Sequence, residues 1–317
     1  MSMTTDTERF FESDAAYEER QRRLAKKTGL LNNSNSNSDN GNLLVYTDPE
    51  SKVMEALSLG AIGGAGESNC LIAIATAGGC ISIVQLLSQE GGVKVKVVAE
   101  KKRAHSAPIT SLAYCEQSRI LYSGSWDKSI KAYSLLKDND DAATDATKVL
   151  LDATVKITEA HGDFVKCLCV IPLSSSSSSS GSNTGASAAL ISGGADKIIR
   201  IWSDKGQCLQ VLKGKHTRPV ERIAILMHSA PTSIITFASA GSDMKIYLWQ
   251  MTSSNASNIK VQCLMQLANH ETSVYSLSPF SDDDDNVFLI SGSADKTVQI
   301  SSHMRQQVII ISVKRLI

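Results

Sequence analysis

One pattern of eleven residues, returning four times, constrains this 317-residue chain more than any other feature of it. The copies begin at Ser123, Ser192, Ser239 and Ser291. Each places an Asp four residues after its Ser (Asp127, Asp196, Asp243, Asp295), and six residues later a landmark: Tyr133, Trp202, Trp249 and, in the last copy, Ser301. Upstream of each copy stands a His followed four residues on by a β-branched residue, in the pairs His105 and Ile109, His161 and Val165, His216 and Val220, and His270 and Val274. Self-similarity of this kind marks a fold made by stacking like units. Within a unit the stretches 109–114, 119–123 and 129–133 are short and alternate in polarity, with Gly, Ser and Asp turns between them. They read as strands of an antiparallel meander.

Over residues 105–300 the pattern resembles the WD40 repeat. The resemblance implies an all-β propeller of four-stranded blades. It assigns to each blade an internal hydrogen-bond network: His105, Ser123, Asp127 and Tyr133; His161, Ser192, Asp196 and Trp202; His216, Ser239, Asp243 and Trp249; His270, Ser291 and Asp295. Ser301 breaks the last set, which predicts the weakest blade there. A Ser-His-Asp hydrolase is the tempting alternative, but a nucleophilic triad is needed once. Four copies at matched spacing point to a structural part that every blade needs, since buried polar groups must be paired.

An upstream copy is degenerate. Residues 70–86 read as two apolar strands around a turn at 76–79 that lacks the Asp, with Val84 at the tryptophan position; 53–62 and 93–99 complete the unit, giving about five recognisable blades. After Ile300 the pattern stops, and residues 308–313 can supply an outer strand. Either a five-bladed ring closes here with 43–46 stitching it, or the chain is a fragment of a larger propeller; an incomplete or irregularly closed ring is expected. Residues 1–42 form a separate arm: a charged helix at 8–27, acids before bases, then an Asn/Ser linker. The propeller takes 43–317, with disordered insertions at 137–148 and 174–188.

Composition narrows the function. Thirty-two basic against thirty-two acidic side chains give a formal charge of zero, and aromatics make up 5%, so nucleic-acid or chromatin binding is a minor alternative. No apolar run reaches membrane-helix length, which predicts a soluble protein with no membrane partner, and the N-terminus lacks the features of a signal or transit peptide, which predicts a cytoplasmic or nuclear location. Seven cysteines show no zinc-ligand spacing and read as reduced, buried thiols. Residues 282–285 are four adjacent aspartates, read as a solvated loop, and the glycine-rich stretch 63–66 as a turn. Lys101, Lys102 and Arg103 read as a basic loop, with a nuclear signal or a phosphate contact as the sharper alternative. No cofactor or metal is implied.

The chain is therefore expected to be a non-enzymatic scaffold that binds other proteins, of unknown oligomeric state. Residues 123–128, 214–225 and 270–275 are similar to the ubiquitin-binding propeller of the phospholipase-activating protein family, which implies ubiquitin or ubiquitin conjugates as a partner. Strand alternation locates the binding rim. If the residue four after each His points into the blade sandwich, those three and five after it turn the other way. These are Pro108 and Thr110, Phe164 and Lys166, Pro219 and Glu221, Ser273 and Tyr275. The residue before each turn Asp joins them: Trp126, Ala195, Ser242 and Ala294.

Overall fold

The computed structural model describes residues 51–61, 70–89, 92–137, 149–171, 188–229, 234–255, 258–268, 270–282, 286–304 and 307–314. All of these belong to the second of two compact units, Ser51–Ile317; the first is Met1–Glu50. The expected helix at 8–27, the linker, the stitching segment at 43–46 and nearly all of the two insertions lie outside the described residues.

Every regular element among the described residues is a strand. The first sheet is β1 (Val53–Ala61), β2 (Cys70–Thr76), β3 (Ile81–Gln89) and β4 (Gly92–Lys101). The second is β5 (Ile109–Cys115), β6 (Ile120–Ser125), β7 (Ile130–Lys137) and β8 (Val149–Ile157), and the third β9 (Val165–Val170), β10 (Ala188–Gly194), β11 (Ile199–Ser203) and β12 (Cys208–Leu212). The fourth is β13 (Val220–Ser229), β14 (Ile234–Gly241), β15 (Ile246–Asn255) and β16 (Asn258–Leu267); the fifth is β17 (Val274–Ser281), β18 (Val287–Ser293), β19 (Thr297–Met304) and β20 (Gln307–Lys314). Each sheet is an antiparallel meander in chain order. The degenerate upstream unit and the strand at 308–313 both take their expected places, the second as β20.

Strand alternation gives each sheet two apolar faces, and those faces weld neighbours together. One buried cluster joins Leu71, Ala73 and Ile83 of the first sheet to Ile109, Leu121 and Tyr133 of the second. Similar clusters join the second to the third, the third to the fourth and the fourth to the fifth. The first strand of each sheet lies innermost: β1 packs on β5, β5 on β9, β9 on β13 and β13 on β17. Curvature is visible in one ion pair. Glu55 of β1 receives Arg222 Nη1 of β13 at 3.3 Å, although two whole sheets separate them in the chain. Inner strands three blades apart therefore meet around a common axis, as in a propeller.

Among the described residues no comparable seam joins the fifth sheet to the first. Strand β17 is accordingly open: Tyr275 is 54% and Phe280 55% exposed, whereas the matching strand β5 is buried along most of its length.

Candidate functional site

Two sets of side chains were expected to matter: the polar network inside each blade, and a rim at the ends of the innermost strands.

The network begins with a turn. Between the second and third strands of the last four sheets the residue after the Asp (Lys128, Lys197, Met244, Lys296) is left-handed, with φ between 65° and 68°. This closes a hairpin in which the Asp carboxylate caps the amide two residues on, at 3.0 Å for Ser129, 3.2 Å for Ile198, 3.3 Å for Lys245 and 2.8 Å for Thr297. In the first sheet Gly79 takes the left-handed position, and Thr76 Oγ1 replaces the missing carboxylate by accepting from Cys80 N at 3.2 Å.

From that turn the Asp reaches its His. Nδ1 of His105, His161, His216 and His270 lies 2.9, 2.9, 3.1 and 2.9 Å from the carboxylate, and Nε2 lies 2.6, 2.7, 2.9 and 2.9 Å from the Ser hydroxyl. With Nδ1–H donating to the Asp, Nε2 is left to accept from the hydroxyl. The indole of Trp202 then donates to Ser192 Oγ, and that of Trp249 to Ser239 Oγ, both at 2.8 Å. Tyr133 Oη instead lies 3.4 Å from the carbonyl of Ala104. Ser301 is buried but contributes no indole.

Burial would raise the pKa of each Asp, but hydrogen bonds from His and from neighbouring amides and hydroxyls outweigh it. All four carboxyls are held below the ordinary range. The network therefore holds charged Asp at neutral pH, and burial lowers the pKa of His161. Each Ser is at most 1% exposed, so no substrate can reach a hydroxyl there. Four enclosed sets brace four hairpins. Burial also pushes the Cys169 thiol up to about 11 and Cys167 higher still, so neither is a nucleophile at neutral pH.

Sequence reasoning missed three participants. Ser129 and Thr297 add hydroxyl bonds of 2.6 and 2.5 Å to their Asp, and Arg200 adds an ion pair of 2.8 Å to Asp196. All three lie two or four residues after the Asp.

The rim residues are brought together by a repeated bond. The amide before each turn Asp donates to the carbonyl three after each His: Trp126 to Pro108, Ala195 to Phe164, Ser242 to Pro219 and Ala294 to Ser273, at 2.8 to 3.1 Å. Side chains then link one blade to the next. Thr110 Oγ1 donates to Val165 O at 2.5 Å, and the rings of Trp126 and Phe164 stack with centroids 5.0 Å apart and planes 13° from parallel. Lys166 pairs with Glu221 at 3.3 Å, Glu221 accepts from Ser242 Oγ at 2.7 Å, and Ser273 Oγ reaches Ser242 O at 3.4 Å. Phe164, Tyr275 and Ala294 remain exposed.

Among the described residues no group of three or more His, Cys, Asp or Glu is placed to hold a metal ion. Asp282 closes the β17–β18 hairpin by accepting from Asn286 N at 2.8 Å; residues 283–285 lie outside the described residues.

Five four-stranded meanders around an axis, four of them braced by the same His–Asp–Ser relay, define a β-propeller with blades of one repeat class. The WD domain, G-beta repeat family matches residues 97–134, 153–203 and 261–300, and the chain is a WD40-repeat protein. It is similar to an uncharacterized WD repeat-containing protein of Schizosaccharomyces pombe, 26% identical over 215 residues that make up 65% of this chain and 48% of that protein. A Nematostella vectensis protein named ribosome biogenesis protein WDR12 homolog is 29% identical over 113 residues, 36% of this chain and 25% of its own. The chain thus spans about half or less of the length of these relatives. A chain in a crystal structure of the mitotic checkpoint complex shares the fold, with a TM-score of 0.56 over 85% of this chain and 67% of that one at 17% identity.

Proposed function

We propose that this propeller is a non-enzymatic interaction scaffold, and that its protein partner docks on the rim around the inner ends of β5, β9, β13 and β17. The observation that carries the reading is the Trp126–Phe164 stack. It sets two large aromatic side chains side by side on the rim, with Phe164 37% exposed. Stacked aromatics held by a rigid frame are the residues that anchor interfaces, because they bury much area with little loss of rotamer freedom. The enclosure of every Ser-His-Asp set supports the non-enzymatic part of the reading.

Single Trp126→Ala, Phe164→Ala and Tyr275→Ala variants test it, with thermal melting and partner capture measured together. Tyr275 makes no ring contact, so its truncation should leave the midpoint unchanged and reduce capture. Capture that follows only the folded fraction in all three variants would show that these rings merely hold blades together. The same experiment, run with purified ubiquitin as one bait and an oligonucleotide as another, decides whether ubiquitin is the partner. Saturable ubiquitin binding lost in Phe164→Ala is the expected sign.

A further inference from the structure

Every blade ends in a strand with one unpaired side: β4, β8, β12, β16 and β20 stand last in their sheets. Such an edge offers a row of amides and carbonyls to any extended chain, and folded proteins blunt it with charge, shortness or a bulge. The first four outer strands carry these devices. β4 has Lys94, Lys96, Glu100 and Lys101, β8 has Asp152 and Lys156, β12 is five residues long, and β16 has Lys260. Each of the four is also broken by a bulge at the same place, beside the landmark of its third strand. The extra residue is Val98 at Val84, Thr154 at Tyr133, Leu209 at Trp202 and Leu264 at Trp249.

The fifth outer strand lacks all of these along its length, except for Lys314 at its end. β20 pairs with β19 in one unbroken register, from Met304 with Gln307 to Thr297 with Lys314, and Ser301 stands at the landmark where the bulge would fall. Residues 308–313 read Val-Ile-Ile-Ile-Ser-Val, six in succession without a charge, a Gly or a Pro, and five of them β-branched. Such residues favour strands, and a straight, uncharged edge of this composition is a template on which a further strand adds. Alternation sets 308, 310 and 312 on one face of the sheet and 309, 311 and 313 on the other, so an added strand meets aliphatic positions on both.

We propose that β20 pairs with β20 of a second copy of this chain, antiparallel about a two-fold axis, joining two fifth sheets into one of eight strands, four from each copy. Three features select a second copy. It supplies a strand that is aliphatic in both alternating sets, as this edge requires. Its charges fit: antiparallel pairing sets Lys314 of each copy beside Gln307 of the other, whereas parallel pairing would set the two lysines side by side. The assembly also closes. The opposite end of the fifth sheet is β17, which lies innermost, so the sheet has one outer edge and a single pairing consumes it. The aromatic rim lies at the axis and stays free for its own partner.

Sedimentation velocity of the full chain, diluted from high micromolar to nanomolar, tests the proposal. A dimer that dissociates on dilution, with no larger species, is the expected result. Ile310→Lys and Ile310→Glu should each sediment as monomers, because each places two like charges beside the two-fold axis. An equimolar mixture of the two should associate several-fold more tightly than either alone, a rescue that a role confined to the strand's own sheet would not produce. The wild type gives a measurement that needs no variant to fold: every second amide of 308–313 should exchange more slowly at high concentration than at low. Trp126→Ala and Phe280→Ala should leave the dimer unchanged, since neither residue lies on the edge. A monomer at every concentration, species growing beyond two, a mixture no tighter than its parts, or amides of β20 indifferent to concentration overturns the proposal. So does a dimer broken by Phe280→Ala, which would mean that the copies meet through the open face of the fifth sheet.

Discussion

The third and fifth sheets are built from the same eleven-residue pattern, and they differ in two respects. In the third, Trp202 closes the relay onto Ser192 and both faces are covered, by the second sheet through Val165, Leu190 and Trp202 and by the fourth through Cys167, Ile191 and Ile201. In the fifth, Ser301 stands where the indole would be, and among the described residues one face is covered, by Val274, Leu277 and Leu289 against the fourth sheet. The polar bonds are nevertheless alike: His270 meets Asp295 and Ser291 at 2.9 Å each, and His161 meets Asp196 and Ser192 at 2.9 and 2.7 Å. The hairpin motif is thus sufficient to form the relay. It does not make the blade dry, because dryness comes from the neighbouring sheets.

The largest expected contrast is at the indole position. Trp202→Ala removes a buried ring and a hydrogen-bond donor and should cost about 3–5 kcal/mol, whereas Ser301→Ala, which deletes one small hydroxyl, should stay within about 0.5 kcal/mol. Paired urea melts measure both. Similar losses would mean that the fifth sheet is as tightly built as the third.

Next in size is the carboxylate. Asp196→Ala strands the buried Nδ1–H of His161 and unpairs Arg200, for a loss of roughly 2–4 kcal/mol at about 1–3 kcal/mol for each uncompensated buried group. Asp295→Ala strands His270 and releases Thr297 but unpairs no arginine, in a sheet with one apolar face covered among the described residues, and should cost about half as much. Equal shifts in the two melting midpoints would contradict the role given to the open face. A subtler consequence is local. Amides of β18 and β19 should exchange with solvent before those of β10 and β11, because opening the fifth sheet uncovers one apolar face and opening the third uncovers two. Matched protection would place a covering seam on the outer face of the fifth sheet.

How far all this was legible depended on whether the cause was local. The hairpins were readable because a left-handed residue after Asp, a capped amide and a His at fixed distance are short-range events that recur at Lys128, Lys197, Met244 and Lys296. The degenerate first blade was readable too: Val84 stands at the position of Trp202, and its apolar side chain is buried without a polar partner to satisfy. What the pattern did not carry were meetings between blades. The ion pair of Glu55 with Arg222 joins residues 167 apart, and the Trp126–Phe164 stack depends on how two sheets are rotated about the axis. The Lys131–Lys156 pairing depends on the register of β7 against β8. Nothing in the spacing of Lys101 to Arg103 announced that Arg103 lines one pocket with Lys131.

The smallest effect sharpens the comparison at the point where it matters most, the dryness of the third sheet. Burial lowers the pKa of His161 below its usual 6.5, against the opposing pull of Asp196. In the unfolded chain the same imidazole titrates near 6.5, so below that pH the unfolded state binds a proton that the folded state refuses. The contribution of His161 to stability is therefore complete above about pH 6.5 and falls as the pH drops through it, by at most about 1.4 kcal/mol for each pH unit. Asp196 has the same sign in a lower pH window. Its depressed pKa stabilises the fold above about pH 3.9 and is lost only in stronger acid, so between pH 7.5 and 5.5 it leaves the His signal undisturbed. His161→Gln should thus lose less stability than the wild type between pH 7.5 and 5.5, measured by urea melts at the two values. An identical loss in both proteins would mean that His161 takes up its proton inside the folded blade. The third sheet would then be as open to water as the fifth.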